Sequence, residues 1–233
     1  MTVHRYCLLG LPRTGSQYIA EMLSKTVSSL DLEEPLTVSD NLSTIISKNN
    51  LILKVPHIGF NSIEEQIEHT LSCLDNASLN QSLTMRLFLI DRIEPHISDI
   101  IDRLIKLNFK FLIIRRENAE HHFLSYLIAR KTNIWNSKVN KNQPHHPNTQ
   151  FEIDNLNDLV WLRDQRKVFD TVLTKLNINC EIIRYEHAVT DLERALGTTI
   201  NTNISLKKQI PSDPYDLIAN PLEVKDFITK LIT

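Results

Sequence analysis

The residues best suited to chemistry lie in the stretch LGLPRTGSQY, residues 9–18. Gly10 and Gly15 have the G-x-x-x-x-G spacing of a phosphate-cradling loop, preceded by an apolar run and followed by a helical pattern over 16–25. The whole chain has four glycines, where average usage would give about sixteen. Two of them in one turn suggest a backbone path that side chains do not tolerate. A strand ending at Leu9 and a helix starting at Ser16 would aim the amides of residues 14–18, and the positive end of the helix dipole, at a single anion. An ordinary strand-to-helix turn can have the same spacing. A nucleoside triphosphate needs a lysine and a Mg²⁺-holding hydroxyl after the second glycine, and Ser16-Gln17 stands there instead. The cation here is Arg13, two residues before Gly15, at the start of the loop.

Other reactive side chains are not arranged for metal or thiol chemistry. His121-His122 and His145-His146 are adjacent pairs, which on a helix point to different faces and lack metal-ligand spacing. Cys7, Cys73 and Cys180 are widely spaced and odd in number, as expected of buried thiols in a reducing compartment. With 26 basic and 28 acidic residues the net charge is −2, so no general field attracts nucleic acid or an acidic membrane, and any anion must be held by a local pocket. No segment has the ~18 apolar residues of a membrane span, and the N-terminal apolar stretch is too short for a signal-peptide core. A cytoplasmic protein binding neither nucleic acid nor membrane is expected.

Elements that must position this loop are readable from the apolar pattern. Short continuous apolar runs at 6–9, 51–55, 87–90, 109–114 and 180–183 read as strands buried on both faces. Helical patterns fall between and after them, at 16–25, 62–73, 95–107, 118–131, 155–176 and 223–231. This alternation predicts an α/β fold with a central, mostly parallel sheet flanked by helices on both faces. At 233 residues one domain spanning residues 1–233 is expected. Residues 27–47 and 132–150, the second rich in Asn, Pro, His and Lys, read as long irregular loops of the kind that carry binding function.

The P-R-T-G-S run, Pro12 to Ser16, resembles the 5′-phosphosulfate loop of sulfotransferases that use 3′-phosphoadenosine 5′-phosphosulfate, most closely the bacterial trehalose-type enzymes. A second station is similar: the strand 111–114 runs into Arg115-Arg116, and Ser125 follows in the next helix. In that family such an arginine and serine grip the donor's 3′-phosphate, and the pairing suits a planar, permanently charged fork with a fixed hydroxyl. The resemblance leaves open whether Arg115 or Arg116 faces the phosphate. Softer likenesses are A-R-K-T-N-I-W at 129–135, Tyr185-Glu186-His187 where the family has Y-E-D-L, and a basic pair Lys207-Lys208. Gln17 stands where Ser or Thr is usual, which removes one hydroxyl contact to the sulfate end.

The resemblance implies a metal-independent transfer of sulfuryl to a hydroxyl of a small-molecule or carbohydrate acceptor, with the phosphosulfate as co-substrate. Arg13 would then stabilise charge on the bridging and leaving oxygens. Two bases are candidates: Glu34, in a segment similar to the family's G-E-P-L, and His57, which with Lys54 resembles the K-T-H of cytosolic sulfotransferases. Histidine needs little tuning to act near neutral pH, whereas glutamate needs its setting adjusted. Two other readings are a P-loop kinase or NTPase relative, with Asp91 as a Mg²⁺ ligand, and a catalytically idle binding module on the same fold.

Overall fold

The computed structural model describes residues 3–32, 34–36, 62–76, 82–90, 93–133, 150–176, 178–203 and 213–232. Five parallel strands form the sheet: β1 (Arg5–Gly10), β2 (Leu30–Asp31), β3 (Leu83–Phe88), β4 (Lys110–Arg115) and β5 (Cys180–Arg184), in the order β2-β3-β1-β4-β5. β1 is central, pairing with β3 in the register Leu9↔Leu87 and with β4 in the register Leu9↔Ile113. Seven helices are seen among the described residues: α1 (Ser16–Val27), α2 (Ile63–Asn76), α3 (Ile97–Lys106), α4 (Ala119–Thr132), α5 (Asn157–Leu176), α6 (Ala188–Leu196) and α7 (Pro221–Ile232). The fold is therefore α/β with an all-parallel sheet, and none of these helices is long and apolar enough to cross a membrane.

Both faces of the sheet are buried, as the continuous apolar strands require. Cys7, Leu9, Met85, Leu87, Phe111 and Ile113 pack under α2, α3 and α5. Tyr6, Leu8, Leu112, Ile114 and Ile183 pack on the opposite face under α1 and α6. A satellite core joins α4, the start of α5 and α7 through Phe123, Leu124, Leu127, Leu159, Leu162, Val224 and Ile228. α4 is enclosed on almost every side, with residues 122–129 all buried, so a polar side chain on it has to find its partners inside the protein.

Differences from the sequence reading have local causes. β3 starts at Leu83, four residues before the apolar run at 87–90, because Thr84 and Arg86 occupy interior positions with partners of their own. Thr84 Oγ1 lies 2.6 Å from Ser29 Oγ, and Arg86 donates to Glu34 across 2.9 Å. The two-residue edge strand β2 lies inside the stretch read as irregular, and the nine-residue α6 has no counterpart among the expected helices. The run at 51–55 lies outside the described residues, as does almost all of the second long loop. Cys7 is fully buried and its thiol is pushed up by that burial.

β1 and β4 are neighbours whose following connections run to opposite sides of the sheet, towards β2 and β5 respectively. Open α/β sheets bind ligands at such a switch point, outside the C-terminal ends of the strands. The glycine loop after β1 and the Arg115-Arg116 pair after β4 both lie there. One wall is fixed by Arg184 at the end of β5, which grips the fully buried Asp191 of α6 at 2.7 and 2.8 Å.

Hydrogen bonds and charge from Arg184 hold the Asp191 carboxyl down to about 2. A depressed acid stabilises the fold above its unfolded value and loses that contribution as pH falls through the folded one. Urea unfolding should therefore show stability declining from about pH 4 towards pH 2. Asp191→Asn should remove that part of the decline and lower stability at neutral pH.

Candidate active site

The loop between β1 and α1 has an unusual backbone. Gly15 is the N-cap of α1 with φ 82°, and it supplies no side-chain cap. Arg13 is also left-handed, with φ 68°. The other left-handed non-glycine residues among the described residues, Ser28, Asn108 and Asn133, lie at helix C-termini, where that conformation is common. Thr14 closes the turn, its hydroxyl donating to Leu11 O at 2.8 Å. A Cβ on Gly15 would lie 2.1 Å from Cδ2 of Tyr185, so the loop needs glycine for both its angle and its contact.

The helices that follow β1 and β4 differ at their N-termini. α4 is capped by Asn118, whose side chain accepts from the His121 amide at 2.9 Å, and by Glu186, which accepts from the Glu117 and Asn118 amides. α1 has no acid in its first turn and no capping side chain. Its first amides, at Ser16, Gln17 and Tyr18, point out of the helix start with the positive end of the dipole.

The second station meets the loop directly. Arg13 Nε donates to Ser125 Oγ at 3.1 Å, joining residues 112 positions apart. Arg116, 9% exposed, reaches Arg13 O with Nη1 at 3.4 Å, and its guanidinium lies 4.8 Å from the centre of the Tyr185 ring. Tyr18 meets the same ring edge-on at 6.0 Å. Arg115 pairs with Asp170 of α5. Of the two arginines, Arg116 hydrogen-bonds the loop backbone, whereas Arg115 is bonded to Asp170.

His122 and Arg166 complete the surroundings. His122 Nε2 lies 2.8 Å from Pro12 O, and His122 Nδ1 lies 2.8 Å from Arg166 Nη1. A guanidinium only donates, so Nδ1 accepts and the ring proton sits on Nε2, donating to the Pro12 carbonyl. Burial, joined by the charges of Arg166, Arg116 and Arg13, pushes His122 down to about 3, so it is neutral at physiological pH.

Burial likewise lowers Arg13 to about 10, with the like charge of Arg116 adding to the effect, and lowers Arg116 and Arg166. All three remain charged at neutral pH. Such a concentration of partly desolvated cations favours an incoming anion. Beside the loop, a cavity of about 560 Å³ is lined by Thr14, Arg115, Arg116, His122, Arg166 and Arg184, among others.

Of the remaining residues singled out by sequence, Glu34 is held by Arg86 in a 2.9 Å ion pair at the C-terminal side of β2. Lys54, His57, Lys207, Lys208 and Asp91 lie outside the described residues. His187, where the family resemblance expects Asp, stands 3.8 Å from Glu117. Sequence reasoning missed His122 as a loop contact. Its i, i+3 spacing from Ser125 puts the two on one helix face, a signal that was available. Nothing comparable in the sequence pointed to Arg166.

No family model and no curated protein matches the chain. Among solved structures, it is similar to a chain from the characterisation of the PezAT chromosomal toxin-antitoxin system of Streptococcus pneumoniae. The two share 12% identity at a TM-score of 0.39, over 98% of this chain and 86% of that one. A likeness this loose carries no argument about activity.

Two glycine substitutions separate angle from contact. Gly197, the left-handed C-cap of α6, has φ 66°, and a methyl group added there would meet nothing within 4 Å. Gly197→Ala should cost about 1 kcal/mol from backbone strain alone. Gly15→Ala should cost clearly more, because the Tyr185 ring must move as well. Thermal melts of both variants check the order.

Proposed function

We propose that this chain is a metal-independent sulfotransferase that takes its sulfuryl group from 3′-phosphoadenosine 5′-phosphosulfate and passes it to a hydroxyl of a small-molecule or carbohydrate acceptor. The observation that carries the reading is the Arg13–Ser125 hydrogen bond, which joins the glycine loop to the helix-borne serine in one cationic site. A ligand with a 5′-phosphosulfate and a separate 3′-phosphate needs two such anion-binding stations side by side.

The residues fit that donor. The open amides of α1 and Arg13 suit the 5′ end, and Arg116 with Ser125 suits the 3′-phosphate. Ser125 Oγ accepts from Arg13, which leaves its hydroxyl proton to donate to an anion. Tyr185 closes the loop's flank with its ring. When bound, the donor supplies the sulfuryl group and a bisphosphate leaving group. Arg13 is placed to offset the negative charge that accumulates as that group departs. Glu34, fixed by Arg86, is the base candidate among the described residues, taking the proton from the acceptor hydroxyl as it attacks.

Calorimetric titration with 3′,5′-bisphosphoadenosine, with and without Mg²⁺ and against ATP, tests the donor site. Metal-independent binding in preference to ATP is expected. Arg116→Ala should weaken it by about 1.5–3 kcal/mol, the usual cost of losing a hydrogen bond to a charged group. Arg115→Ala should change it little, since Arg115 is engaged with Asp170. A preference for Mg²⁺-ATP would favour a kinase or NTPase relative instead.

Once an acceptor is found, Glu34→Gln should lower kcat about 10²–10⁴-fold and leave bisphosphate binding intact. Unchanged turnover in that variant would move the base to another residue, His57 first.

A further inference from the structure

Arg13 holds a strained backbone angle, and the contacts around it are unusually well distributed. Its side chain is bonded to Ser125, its own carbonyl is reached by Arg116, and the carbonyl before it, on Pro12, is bonded to His122. The last of these bonds belongs to a longer chain. Arg166 of α5 donates to His122 Nδ1 at 2.8 Å, and His122 passes the polarity on through Nε2 to Pro12 at 2.8 Å.

We infer that Arg166 and His122 are positioning residues for the loop: a two-bond relay from α5 through α4 that fixes the Pro12 carbonyl and so holds Arg13 and the amides after it ready for an anion. The inference rests on the loop being the anion-binding element of the proposed function.

Three observations support it. His122 is 0% exposed, so both its ring nitrogens must be satisfied inside the protein, and they are satisfied by one donor and one acceptor. The arginine fixes the tautomer, because a proton on Nδ1 would leave Arg166 facing another donor and would deprive Pro12 O of its partner. The ring also stays neutral, kept so by burial and by three nearby arginines, so it adds no charge to compete with Arg13. A lysine or arginine at the same place would bond the carbonyl while adding a fourth buried cation.

Arg166 also lines the cavity beside the loop. The relay therefore connects a wall of that cavity to the loop backbone, and the two are built as one unit rather than as neighbours.

The test compares His122→Leu, His122→Gln, Arg166→Met and the double variant His122→Leu/Arg166→Met. A glutamine carries a donor and an acceptor at nearly the separation of the two ring nitrogens, so it can rebuild the relay without a titratable group. With 3′,5′-bisphosphoadenosine and inorganic pyrophosphate as probes, His122→Leu and Arg166→Met should each weaken binding about tenfold or more. His122→Gln should recover most of the loss. The double variant should be no worse than His122→Leu alone, since both substitutions break one chain of bonds.

Two readings need no ligand. Ring nitrogen NMR of the free protein should show His122 protonated at Nε2 and bare at Nδ1. The Gly15 amide resonance should move in His122→Leu and return in His122→Gln. Failure of His122→Gln to restore either binding or the Gly15 resonance, additive losses in the double variant, or the opposite tautomer would overturn the inference. If the bisphosphate does not bind to the wild type while the tautomer and the Gly15 response are as expected, the relay stands and the donor assignment fails.

Discussion

Arg13 sits at φ 68° in a tight loop, a conformation that costs a residue with a side chain about 1–2 kcal/mol. The angle persists because the surrounding structure over-determines it. Ser125, Arg116 and His122 each hold a different atom of the Pro12-Arg13 segment, and all three come from the β4–α4 unit. The sheet supplies the framework by placing β4 beside β1. The satellite core then locks α4 against α5 and α7, so that the clamp cannot drift. Packing far from the loop is thus converted into the direction of a few amides.

The same edge of the sheet shows how the chain assigns charge. Of the helices that follow β1 and β4, α4 has a first-turn amide satisfied by Asn118 and the amides just before it by Glu186, while α1 starts on a glycine with no side-chain cap. Arginines gather on the open side, and burial makes each of them costlier to keep charged. Carboxylates near the edge are engaged in neighbouring pairs: Asp170 with Arg115, Asp191 with Arg184 and Glu34 with Arg86. An anion at the α1 terminus would relieve the accumulated positive charge without displacing those pairs.

Much of this framework is legible in sequence because buried parallel strands are written as continuous apolar runs. β1, β4 and β5 can be placed within a residue or two, and the loop is located by its paired glycines. β3 is misplaced because Thr84 and Arg86 interrupt the apolar signal, and tertiary partners on either side of β2, Ser29 and Glu34, explain their burial. The nine-residue α6 is too short to stand out. Contacts across the site are harder still: Arg115 and Arg116 are adjacent, and what separates them is Asp170, 55 residues away. His122 reads in sequence only as a poor metal ligand, since its partners at Pro12 and Arg166 lie 110 and 44 residues off.

On the proposed reading, one site grips two phosphate groups at once, the loop taking one and Arg116 with Ser125 the other. Phosphorus NMR of 3′,5′-bisphosphoadenosine titrated with the protein in the absence of Mg²⁺ reads this directly, because the two phosphorus nuclei are resolved. Both resonances should shift together in the wild type, and Ser125→Ala should diminish the response of the 3′-phosphate more than that of the 5′-phosphate. A response from a single phosphorus, unaffected by Ser125→Ala, would contradict the two-station site.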